Sequence, residues 1–182
     1  MHSRGLAAAA SVWVAALVCS CHASHARVEQ GSRPSCTGDP ATEAVLDYVE
    51  SVSAPAGGPI EVLLADGMTY LFDASDPASP AYAGIVESRR ESGSPVYLEY
   101  YRDTKVIVDL GLPMEFRVLT ITETADGVAV TLEVSAAIHA LRRTQPCYDF
   151  FVEDLRTAMA RGSTVWVTHN SLYEIIDVRP AS

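Results

Sequence analysis

Lysine is nearly missing from this chain. Lys105 is the only one among 182 residues, and every other basic side chain is an arginine. The closest pairs, Arg89–Arg90 and Arg142–Arg143, make no dense cationic row, and the net charge is −10. Binding to nucleic acid depends on such a row, so it is excluded as an expectation. An anionic membrane surface is disfavoured for the same reason. Histidine is scarce as well: beyond residue 26 only His139 and His169 occur, 30 residues apart. No Cys-x-x-Cys or His-x-x-x-His spacing accompanies them, so no zinc motif is present. Gly31-Ser32, Gly93-Ser94 and Gly162-Ser163 all lack the second glycine of a nucleophile elbow. Gly57-Gly58 precedes Pro59 and a strand pattern, which cannot seat a phosphate on a helix N-terminus. After the N-terminal stretch no apolar run reaches the ~20 residues of a transmembrane helix. No cofactor and no catalytic residue are assigned on these grounds.

The first 26 residues carry an address. Arg4 is followed by the apolar run Leu6–Val18 and then by small residues, with Ser24 and Ala26 at the −3 and −1 positions of a cleavage site. This is the pattern of a secretory signal peptide. Leu17-Val18-Cys19-Ser20-Cys21 offers a second reading as a lipobox, in which Cys21 is the candidate lipidated residue and a membrane is reached only through that anchor. Residues 27–38 read as a linker and 39–182 as a single domain. The expected location is periplasmic, outer-membrane-anchored or secreted. Export implies an oxidising compartment, so Cys36 and Cys147 are predicted to form a disulfide.

The domain reads as α+β, a mainly antiparallel sheet of about eight strands with three helices on one face. Three αββ-like units and one extra long hairpin account for it. The units begin at Asp39-Pro40, Ser79-Pro80 and Gln145-Pro146; Asp39 and Ser79 suit an N-cap, and proline suits the first helical position. Val45, Leu46, Val49 and Val52 share one face of the first expected helix, and Phe151, Leu155, Ala158 and Met159 one face of the third. The hairpins follow at 60–73, 96–109 and 165–177. The extra hairpin, 116–134, turns at Asp126-Gly127.

Two sets of side chains stand out. Asp73, Asp109 and Asp177 end the second strands of the three units; related by a threefold, they are candidate hard-oxygen ligands for Ca²⁺. Tyr97, Glu99 and Tyr101 share a strand face, and Trp166 holds the place of Tyr97 in the third unit. If uncovered, that face suits a protein, peptide or glycan partner. The favoured function is therefore a non-catalytic exported or envelope-associated binding protein. The alternative is an exported hydrolase using His139, His169 and the aspartates. A histidine nitrogen near a hydroxyl or carboxylate in a cleft separates the two.

Overall fold

A computed structural model describes residues 36–56 and 58–181; the expected signal peptide, Cys21 and most of the linker lie outside them. In chain order the elements are β1 (Thr42–Asp47), β2 (Val49–Ser53), β3 (Ile60–Leu64), β4 (Thr69–Phe72), α1 (Ser79–Glu91), β5 (Val96–Tyr101) and β6 (Ile107–Gly111). There follow β7 (Met114–Thr124), β8 (Gly127–Leu132), β9 (Ile138–Arg142), α2 (Tyr148–Arg161), β10 (Thr164–His169) and β11 (Ile175–Pro180). The mixed sheet-and-helix class stands, but among the described residues eleven strands in three sheets and two helices replace the expected eight and three.

The difference arises mainly at residues 39–53, where β1 and β2 stand in place of a helix. Asp39 does accept a hydrogen bond from Ala41 N–H through Oδ1, at 2.8 Å, but the turn it forms leads into a strand. β1 then pairs with β5 and β2 with β3. Thr42, Val45, Leu46, Asp47 and Val49 are all buried, so the period-2 alternation that marks a strand is erased. The β-branched content of the stretch suits a pleated surface. β9 accounts for the remaining extra strand.

Without a first helix, the three-unit plan fails. The strand pairing instead divides the chain in two, and the plan of residues 42–111 recurs over 114–180. In the first half β1–β5–β6 and β2–β3–β4 are joined by a parallel bridge, Leu71 to Val106. In the second half the order is β11–β10–β7–β8–β9, and a parallel bridge from Ala140 to Glu174 brings its two ends together. The start of β7 pairs with β10 and the rest with β8, so one bent strand does what β1 and β2 do in succession.

The irregularities match too. Register shifts fall at Val49/Ser51 and at Val118/Thr120, opposite Leu64 and Leu132. They fall again at Glu99/Tyr100 and at Thr168/His169. Gly93 and Gly162, both left-handed, follow the two helices. Lys105 and Tyr173 are left-handed at φ 60°, which takes them out of the strands expected to contain them and into turns.

Each half has its own core. Val62, Leu64, Val86, Val96 and Leu98 anchor the first. Val130, Leu132, Leu141, Phe151, Leu155 and Val167 anchor the second. α1 packs on β2 and β3, and α2 on β7, β10 and β11, so the helices do not share one face. Cys36 and Cys147 form a disulfide with Cα atoms 5.3 Å apart, and both pack against the second core.

Candidate functional site

The two histidines meet at one end of the second half. His139 lies on β9, opposite Val130 of β8, and points inward; it is 1% exposed. His169 ends β10. The parallel bridge between β9 and β11 draws them together: Ala140 N–H donates to Tyr173 O at 3.1 Å. The imidazole centroids are 5.2 Å apart with planes at 63°. Tyr173 sits 5.9 Å from His139 and 5.7 Å from His169, and Phe116 closes the inner side at 6.1 Å. Burial, then the neighbouring His169, holds the His139 pKa below the ordinary histidine range.

His139 Nε2 lies 2.8 Å from Ser135 Oγ. This is the geometric feature that distinguishes the two functions expected above, and its chemistry depends on the other nitrogen. A catalytic base needs its Nδ1–H held by an acceptor so that Nε2 is free to take the serine proton. His139 Nδ1 is buried and has no hydrogen-bond partner, and the same is true of His169 Nδ1. A proton on His139 Nδ1 would be a buried donor without an acceptor, which is costly. We therefore assign it to Nε2, which donates to Ser135 Oγ. Ser135 Oγ also accepts from Ala137 N–H at 3.3 Å.

The first half explains why this contact exists. Its matching positions hold Tyr70 on β4, Tyr100 on β5, Asp66 in the β3–β4 turn and Lys105 in the β5–β6 turn. Tyr70 and Tyr100 stack edge-on at 4.7 Å and 62°. Tyr70 donates from its hydroxyl to Asp66 Oδ2 at 3.2 Å, and Met68 N–H donates to Asp66 Oδ1 at 2.7 Å. Lys105 Nζ lies over the Tyr100 ring at 4.7 Å. Leu71 N–H donates to Lys105 O at 3.0 Å, as Ala140 does to Tyr173. Both phenols are raised, chiefly by burial; Tyr100 is pushed up to about 12, with Glu43 adding to the shift. The inner residue of each pair thus ties its own β-turn. The contact belongs to the fold, and a Ser–His pair is one of two ways of making it.

The rims of the two ends differ. Around the tyrosines the turns present Asp66, Gly67, Asp103, Thr104 and Lys105, with Met68 exposed at 44%. Around the histidines Val134 is 97% exposed, Leu172 75% and Ile138 71%. Val134 is also left-handed at φ 63°, an uncommon backbone state for a β-branched residue. Asn170 shapes the neighbouring turn by accepting from Leu172 and Glu174 N–H, while Glu174 pairs with Arg142.

The other sequence candidates are dispersed. Asp73 and Asp109 line a cavity of about 140 Å³ with Phe72, Tyr82 and Asp76. Asp177 does not join them: it is buried at 1% and pairs with Arg179, Nε to Oδ2 3.1 Å. With no threefold to relate the three aspartates, the Ca²⁺ arrangement loses its basis. Among the described residues no group of three or more His, Cys, Asp or Glu side chains is placed to hold a metal ion. The expected aromatic face is divided. Tyr97 is 3% exposed and its phenol is raised by burial, so it offers no ring to a partner. Glu99 is partly buried and accepts from Thr42 Oγ1 at 2.6 Å. Tyr101 is exposed and Trp166 half-buried.

The sequence offers His139 and His169 together only in the hydrolase alternative, with the three aspartates; the structure brings the histidines together but without those aspartates, and adds Ser135 and Tyr173, which the sequence does not single out. A usable signal was present: aligning the 60–73 segment with 128–142 places Tyr70 on His139. No protein-family model matches the chain, and no curated protein or solved structure matches it either.

Proposed function

We propose that this chain is an exported, non-catalytic binding protein, and that its binding end is the apolar-rimmed histidine pair of the second half. The observation that carries this reading is the contrast between two ends built to one plan. The first is tied by Tyr70–Asp66 and carries one exposed apolar side chain, Met68, among Asp66, Asp103 and Lys105; the second is tied by His139–Ser135 and carries the more exposed Val134, Ile138 and Leu172 beside Asn170 and Glu174. A fold needing only the tie would not need side chains as exposed as Val134, Ile138 and Leu172 on the strands and turns that carry the pair. Export is supported by the leader pattern and by the Cys36–Cys147 disulfide, which persists in oxidising compartments. Whether the chain is free or anchored through Cys21 belongs to the same proposal.

The Ser135–His139 contact favours the hydrolase alternative on distance alone, so the test is aimed at it. A fluorophosphonate probe is expected to leave Ser135 unmodified, and ester hydrolysis is expected to equal the buffer rate. An adduct on Ser135 that disappears in H139Q would overturn the binding-protein reading.

A further inference from the structure

The two Nδ1 atoms call for an explanation. Buried polar atoms in folded proteins are almost always paired, and exceptions point to a bound water, an ion or a chemical role. His139 is fully buried, and its Nδ1 carries a lone pair with nothing to meet it. His169 repeats the situation one ring away, at 5.2 Å between centroids. Both are imidazoles, which are borderline donors suited to zinc, copper and nickel and poorly suited to calcium.

His139 also has the support that a ligating histidine needs. Such a residue usually donates its other ring N–H to a fixed acceptor, which sets the tautomer and aims the free nitrogen. Ser135 Oγ at 2.8 Å is that acceptor. None of this is required by the fold, since Tyr70, Tyr100 and Asp66 occupy the matching places in the first half without any imidazole.

Resting on the reading of this end as the binding end, we propose that His139 and His169 bind one first-row divalent ion of borderline softness, Zn²⁺ or Cu²⁺, through their Nδ1 atoms. Two imidazoles supply half of a tetrahedral shell. Tyr173, packed against both rings and half-exposed, is a further donor side chain beside them, and the shell is completed from outside the protein. That incompleteness is why no three-ligand cluster is found among the described residues.

The test uses the full chain with its disulfide intact, stripped with EDTA and dialysed. His2, His22 and His25 are replaced by alanine, which leaves His139 and His169 as the only imidazoles. Titration calorimetry with ZnCl₂ and CuSO₄ is expected to show one ion per chain, and CaCl₂ no heat. H169Y is expected to weaken binding at least about tenfold. S135D/H139Y/H169Y rebuilds the first half's own tie, so it should keep the far-ultraviolet circular dichroism and the melting temperature while losing the ion. Should the triple variant fail to fold, ¹⁵N-detected imidazole spectra of the parent decide: zinc must shift both Nδ1 resonances and leave His139 Nε2 protonated. Absence of heat with both ions, wild-type binding by the folded triple variant, or unmoved Nδ1 resonances would each overturn the proposal. Zinc-dependent ester hydrolysis would leave the metal site standing and remove the non-catalytic reading. No binding and no hydrolysis would do the reverse.

Discussion

Replacing both bridged cysteines, C36S/C147S, tests the sulfur crosslink that fastens the start of the described chain to the second half. The two residues are 111 apart in sequence. Chain-entropy arguments assign about 4.7 kcal/mol to a loop of roughly that size, and loss of a native bridge typically costs about 2–5 kcal/mol. A domain this large has a total stability of about 5–15 kcal/mol, so the loss is a substantial fraction of it. At ~2–4 °C per kcal/mol the melting temperature should fall by at least about 4 °C and by up to about 19 °C. Differential scanning calorimetry at fixed pH measures this directly. The structure also says where the loss should appear. Both cysteines pack on the core that contains Phe151 and Leu155, and Cys147 is the left-handed residue before α2. Hydrogen exchange should therefore quicken first in α2, while Val62 and Leu98 in the first core stay slow. A melting shift under about 2 °C, or faster exchange in the first core alone, would refute the reasoning.

Further outcomes follow from single positions. A Cβ at Gly127 would meet Leu141 O at 2.1 Å, a backbone atom, at φ +152°, so G127A should destabilise by more than the ordinary ~1 kcal/mol of a point substitution. G84A, in open space on α1, should stabilise by up to about 1 kcal/mol; urea midpoints compare the two. The folded-state pKa of His139 is lowered, so the unfolded chain binds the proton more readily. Its contribution to stability is complete above the unfolded value of about 6.5 and is lost as pH falls from there toward the lowered folded value. Denaturant titrations at pH 7.5 and pH 5 should show this drop, and H139Y should lack it.

Much of the local structure could be read from residue order. Asp66-Gly67 and Asp126-Gly127 mark turns that the chain does make, and Ile60–Leu64 and Thr69–Phe72 flank the first of them. The Cys36–Cys147 pairing followed from compartment and count. The stretch 42–53 was misread because Val45, Leu46, Val49 and Val52 satisfy a helical spacing, while burial on both sides hid the strand alternation. The number of units was misread for a related reason. Hairpins of similar length recur in any antiparallel protein, whereas the features that reveal two halves are pairing irregularities and parallel bridges, which have no residue signature. The histidine pair stayed hidden because His139 and His169 lie 30 positions apart and meet only through β9 and β11.

The single parallel bridges at Leu71–Val106 and Ala140–Glu174 have a consequence for self-association. Each bridge draws two outer strands of its half toward one another, which covers part of an edge that a neighbouring molecule could otherwise zip onto. Such partial self-closure works against strand exchange between copies.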